Sequence, residues 1–65
     1  MNWDQIEGGW KEMMGRAKAK WCDITDDEWT SIAGRRDELV GAVQRRYGRA
    51  REEAEAEVDE WSRGL

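Results

Sequence analysis

The chain has no proline, no histidine, no phenylalanine and a single cysteine, and only eight of its 65 residues are Ile, Leu or Val. Each shortage excludes something. One thiol and no imidazole cannot build an internal disulfide framework or a Cys/His zinc site, both of which need several such ligands. Without histidine, the chain lacks the usual general base at neutral pH, and neither a Ser-His nor a Cys-His nucleophile pair can be assembled. No run of residues approaches the ~20 apolar positions of a membrane span. The first nine residues carry Asp4 and Glu7 and no apolar stretch, so a signal peptide is not expected. A lone cysteine without secretory features fits a reducing compartment, and a cytoplasmic location is expected.

What is present is charge and tryptophan. Charged residues make up 40% of the chain, the formal net charge is −4, and the mean hydropathy is −1.04 with a pI near 4.8. Charge at that level with so few aliphatic residues leans towards disorder. Against it stand five Trp, each able to bury roughly 150–250 Å². At this length there is room for one domain with a small core.

With no proline, boundaries are read from glycine, caps and charge. Thr25-Asp26-Asp27-Glu28 is a helix-start signature. The Thr25 hydroxyl can cap, Glu28 can reach back to close a capping box, and the acids meet the positive end of the helix dipole. Ile24 and Trp29 are placed to form a hydrophobic staple. Upstream, Trp10, Met14, Ala17 and Trp21 recur at helical spacing, with Met13 beside them, and predict a first helix from Trp10 to Trp21. A short turn over Trp3 to Ile6 leads in, broken at Gly8-Gly9, and Trp3 is expected outside the core. After the cap, Trp29, Ile32 and Ala33 mark a short second helix ending or kinking at Gly34. Arg36, Val40, Val43 and Tyr47, with Leu39 alongside, form the third, and Gly48 is placed to end it in the left-handed conformation. Ala50, Ala54, Val58 and Trp61 form the fourth. No segment alternates as a strand would.

The expectation is an all-α single domain over residues 1–65, a four-helix bundle of short helices, with the second and third joined as one kinked helix at Gly34 as the alternative. Its expected core is Trp10, Met14, Ala17, Trp21, Trp29, Ile32, Val40, Val43, Tyr47, Ala54, Val58 and Trp61.

Two charge blocks follow one another. Residues 35–51 hold Arg35, Arg36, Arg45, Arg46, Arg49 and Arg51 against Asp37 and Glu38, and residues 52–60 hold six acids and no base. The arginines are candidate anion contacts, because neutralising phosphates supplies most of the affinity for nucleic acid. The favoured reading sets four of them in last helical turns, paired or screened by the acidic helix, which would itself repel a phosphate backbone. Nucleic acid is therefore not the expected partner. The first predicted helix carries Lys11, Arg16, Lys18 and Lys20 around its Trp and Met stripe, a pattern that can lie on anionic lipid. In a chain this poor in apolar residues the core has first claim on that stripe, and a membrane surface is likewise not expected. Asp23, Asp26, Asp27 and Glu28 lack calcium-loop spacing and read as cap and dipole residues. Cys22, beside Asp23, reads as an inert thiol. No metal, cofactor or small-molecule substrate is expected.

Ile24-Thr25-Asp26-Asp27, then Gly34, Asp37, Leu39, Val40, Gly41, Gln44, Tyr47-Gly48, Glu53-Ala54, Val58 and Trp61, together with Trp10-Lys11, Gly15 and Trp21, resemble the CsbD-like family of small bacterial stress-response proteins. The resemblance spans nearly the whole chain. It implies a small hydrophilic helical bundle of the bacterial cytoplasm, associated with the general stress response, with no assigned catalytic activity or cofactor. Together with the high charge, the few aliphatic residues and the missing catalytic groups, it leads to the expectation of a non-enzymatic stress-response protein acting as a protectant or through a protein partner.

Overall fold

A computed structural model describes residues 2–65. Among these residues the fold is all-α, with five helices: α1 Trp3–Gly8, α2 Trp10–Lys20, α3 Asp26–Ile32, α4 Arg36–Tyr47 and α5 Arg51–Arg63. The additional helix is α1, where a turn was expected. Asn2 supplies its cap: the Asn2 side chain accepts from the Gln5 N–H at 2.9 Å and the Gln5 side chain accepts from the Asn2 N–H at 3.2 Å. Asn at the cap with Gln three residues on is the same reciprocal box that Thr25 and Glu28 make for α3. In that second box the Glu28 N–H donates to the Thr25 hydroxyl and the Thr25 N–H to the Glu28 carboxylate, both at 3.3 Å. At the start of α5 only half of such a box forms, because Ala50 has no side-chain acceptor; its N–H donates to Glu53 at 3.3 Å.

Helices α3 and α4 are separate. Ala33 and Gly34 both take positive φ, 50° and 81°, and two consecutive left-handed residues cannot carry a right-handed helix onward. The turn is tight for a reason outside itself. A Cβ on Gly34 would lie 2.9 Å from the Cα of Glu7, so α1 rests on the α3–α4 turn at a distance that only glycine permits. Gly48, with φ 63°, closes α4 as expected.

The core gathers Ala17, Trp21, Ile24, Trp29, Ile32, Leu39, Val40, Ala42, Val43, Ala54 and Val58, with Trp3, Trp10, Met14, Tyr47 and Trp61 packed against it half-buried. Three placements differ from the sequence reading. Trp3 is half-buried against the core instead of outside it, its ring centroid 6.3 Å from that of Trp61, because α1 is a helix that turns Trp3 and Ile6 inward. Met13, not Met14, is the buried methionine of α2, since the helix presents Met13 and Ala17, four apart, to the core. Ile6, Ile24, Leu39 and Ala42 are also buried. Complete burial of Trp21 and Trp29 offsets much of the aliphatic shortage, at roughly 25 cal/mol per Å² of apolar surface removed from water.

Candidate functional site

The arginine block is the charge feature on which function was most open, and the fold distributes it. Arg35 and Arg36 stand at the start of α4, Arg45 and Arg46 in its last turn, Arg49 in the α4–α5 connection and Arg51 at the first position of α5. Only Arg45 and Arg46 therefore occupy a last helical turn, not four of the six. α4 packs along α5, and this brings the basic block against the acidic one.

Arg36 makes a two-pronged bond to Asp59, Nε to Oδ1 at 2.9 Å and Nη2 to Oδ2 at 3.0 Å, joining the start of α4 to the end of α5. Arg46 bonds Glu28, whose other carboxylate oxygen lies 3.8 Å from Arg45, joining the end of α4 to the start of α3. Arg49 reaches Glu57 at 3.2 Å. Arg51 reaches Glu55 at 2.8 Å and Asp37 at 3.7 Å. Arg35 is the remaining one; its guanidinium donates to the Ser31 carbonyl at 3.2 Å.

The electrostatics follow from these pairs. The Arg46 hydrogen bond holds the Glu28 carboxyl below its ordinary value against a smaller opposing effect of burial, with the Thr25 donors adding to it. Arg36 does the same for Asp59, and Asp59 in turn raises Arg36. Five of the six candidate anion contacts are thus committed to carboxylates of the same chain.

A second network escaped the sequence reading. Trp21 Nε1 donates to Glu57 Oε1 at 2.8 Å, and the Asp23 N–H donates to the Tyr47 hydroxyl at 3.1 Å. Tyr47 was expected to serve the core and Glu57 to be one acid of a run; pairings 24 and 36 residues apart leave no trace in local spacing. The indole N–H groups of Trp3, Trp10 and Trp29 are buried with no acceptor among the described residues. An unpaired buried donor costs about 1–3 kcal/mol.

On α2 the apolar stripe faces inward. Met13 and Ala17 are buried, Trp10 and Met14 half-buried; Lys18 pairs with Asp26 at 3.0 Å, and Lys20 sits 5.6 Å over the Trp21 ring. Cys22 is exposed in the α2–α3 turn. An open cleft of about 350 Å³ lies between α1 and the start of α4, with Trp3, Asp4, Glu7, Arg35, Asp37 and Glu38 among its lining. It brings together four carboxylates, two guanidinium groups and an indole. Among the described residues no group of three or more His, Cys, Asp or Glu is placed to hold a metal ion. Nor is any helix among the described residues long and apolar enough to cross a membrane.

The comparisons with known proteins agree with one another. Residues 4–56 match the model of the CsbD-like family. The chain is 52% identical over 61 residues to a UPF0337 protein of Pectobacterium atrosepticum, covering 94% of this chain and 88% of that one. It is 48% identical over 63 residues to the UPF0337 protein YjbJ of Escherichia coli O6:H1, covering 97% and 91%. A UPF0337 protein of Nitrosomonas europaea is 51% identical over 59 residues, which span 91% of this chain and 63% of that one. No solved structure matches. With a family model matched over most of its length and relatives about half identical across nearly all of it, this chain belongs to the CsbD-like family.

Proposed function

We propose that the protein is a non-enzymatic, cytoplasmic stress-response protein whose working form is the small charged helical domain itself, acting as a protectant or through a protein partner. The observation that carries this reading is the commitment of the arginine block to internal carboxylates. The groups most able to seize an anionic ligand are spent on holding α3, α4 and α5 together. CsbD-like membership supports the link to the general stress response.

On this reading neither nucleic acid nor a lipid surface is the partner. Binding phosphate through Arg36 or Arg46 would have to compete with Asp59 or Glu28 for the same guanidinium, and α2 has its apolar stripe in the core. Cross-linking in stressed cells followed by capture of the protein tests the proposal. One reproducibly enriched protein supports action through a partner. No enrichment, together with suppression of aggregation of a heat-unfolded client by the purified protein, supports the protectant. A protein that does neither, or that turns over a metabolite in an activity screen, overturns it. A titration against DNA and anionic vesicles at two salt concentrations should show no binding at either; phosphate binding would reveal itself by weakening steeply with salt.

A further inference from the structure

The tryptophans divide between two parts of the molecule, and every ring pair crosses between them. Trp3 lies on α1, Trp10 on α2 and Trp21 closes α2, whereas Trp29 lies on α3 and Trp61 on α5. Centroid separations are 6.3 Å for Trp3–Trp61, 5.9 Å for Trp10–Trp29 and 5.4 Å for Trp21–Trp61. α1 and α2 are thus laid on α3–α5 through an aromatic seam.

The seam is built differently from the rest. Its polar ties among the described residues are Trp21 to Glu57, the Asp23 N–H to Tyr47, and Lys18 to the exposed Asp26. The charged pairs of Arg36 with Asp59, Arg46 with Glu28, and Arg51 with Asp37 all lie within α3–α5. The indole N–H groups of Trp3, Trp10 and Trp29, each on a ring of the seam, are buried with no acceptor among the described residues, so closing the seam takes three donors out of water without a bond from those residues in return. A single short connection, residues 22–25, joins the two parts; Cys22, Asp23 and Thr25 in it are exposed, and Ile24 is held in the core beside α3.

We propose that α1 and α2 form a hinged cover that lifts from α3–α5 about residues 22–25, baring the rings of Trp29 and Trp61 while α3–α5 stays folded. Opening exchanges aromatic contact for hydration of the three indole donors, and it leaves the arginine–carboxylate pairs of α3–α5 intact. Segments with few polar ties to their surroundings are the ones that open below the global unfolding free energy.

Native-state hydrogen exchange of the full chain in low urea tests this. Once lifted, the 11-residue α2 is too short to hold its helix in water, so the Met13 and Ala17 amides, bonded along α2, are expected to exchange at least ~10-fold faster than those of Val43 and Val58, with a weaker dependence on urea because opening exposes less surface than global unfolding. Asp59→Asn then separates the two processes. The Arg36–Asp59 pair survives in the open form and is lost only on global unfolding. The variant should therefore speed exchange at Val43 and Val58 by about fivefold, the scale of a half-exposed pair, and leave Met13 and Ala17 unchanged. Tyr47→Phe removes a tie present only in the closed form and should speed all four amides alike. A single exchange free energy for all four in the wild type, or an equal acceleration of all four by Asp59→Asn, overturns the proposal.

Discussion

Gly34 and Gly48 both sit at positive φ, yet they answer to different constraints. Gly48 has nothing within 4 Å of where a Cβ would stand, so Gly48→Ala should cost only the left-handed penalty, about 1 kcal/mol. At Gly34 the added carbon would also meet the backbone of Glu7 at 2.9 Å. Gly34→Ala should cost about 2–4 kcal/mol, since α1 or the turn must shift as well. Urea unfolding of the two variants checks the difference, and equal losses would mean that α1 does not press on the turn. Trp21 is the other residue whose role exceeds its type. It is buried and bonded to Glu57, and Trp21→Ala should cost about 3–5 kcal/mol. In a domain of this size that approaches the whole stability. The variant should lose most of its helical circular dichroism at room temperature.

Between elements, the ends of α4 are tied by carboxylates whose protonation would release them. Glu28 and Asp59 are both held below their ordinary values by arginine hydrogen bonds, so in the folded protein they bind protons less readily than in the unfolded chain. The stability they add is fully present above the unfolded-chain values, near 4.5 for Glu and 3.8 for Asp. It is lost as pH falls below that range and through the lowered folded values. Stability should be level from neutral pH to about 5 and fall on further acidification. Glu28→Gln should lower the urea midpoint at pH 7 and flatten the acid limb, so that variant and wild type converge at the lowest pH; parallel curves would show that Glu28 contributes nothing to the pH dependence. Legibility at this scale was uneven. The Thr25–Glu28 cap could be read because it is local, whereas the second use of Glu28, as the partner of Arg45 and Arg46, depends on α3 packing against α4. The Asn2–Gln5 box carries the same local signature, three residues apart, and marks the start of α1 in the sequence.

At the scale of the molecule, intrinsic fluorescence should be blue-shifted and move to longer wavelength in urea, since Trp21 and Trp29 are buried and the other three Trp half-buried against the core. A water-exposed spectrum under native conditions would contradict this packing. The all-α class, the span of α2, the start of α3, the end of α4 and the absence of an imidazole-based chemistry were determined by the sequence alone, because each rests on spacing, caps or composition within a few residues. What only the tertiary structure decided was whether Trp3 lies in or out, which methionine of α2 is buried, that α3 and α4 part at Ala33 and Gly34, and that the arginine block turns inward to its own carboxylates. Those outcomes depend on which surfaces of distant segments meet. A helical stripe states that a face is apolar but not what will cover it, and a charge block states its sign but not its partner.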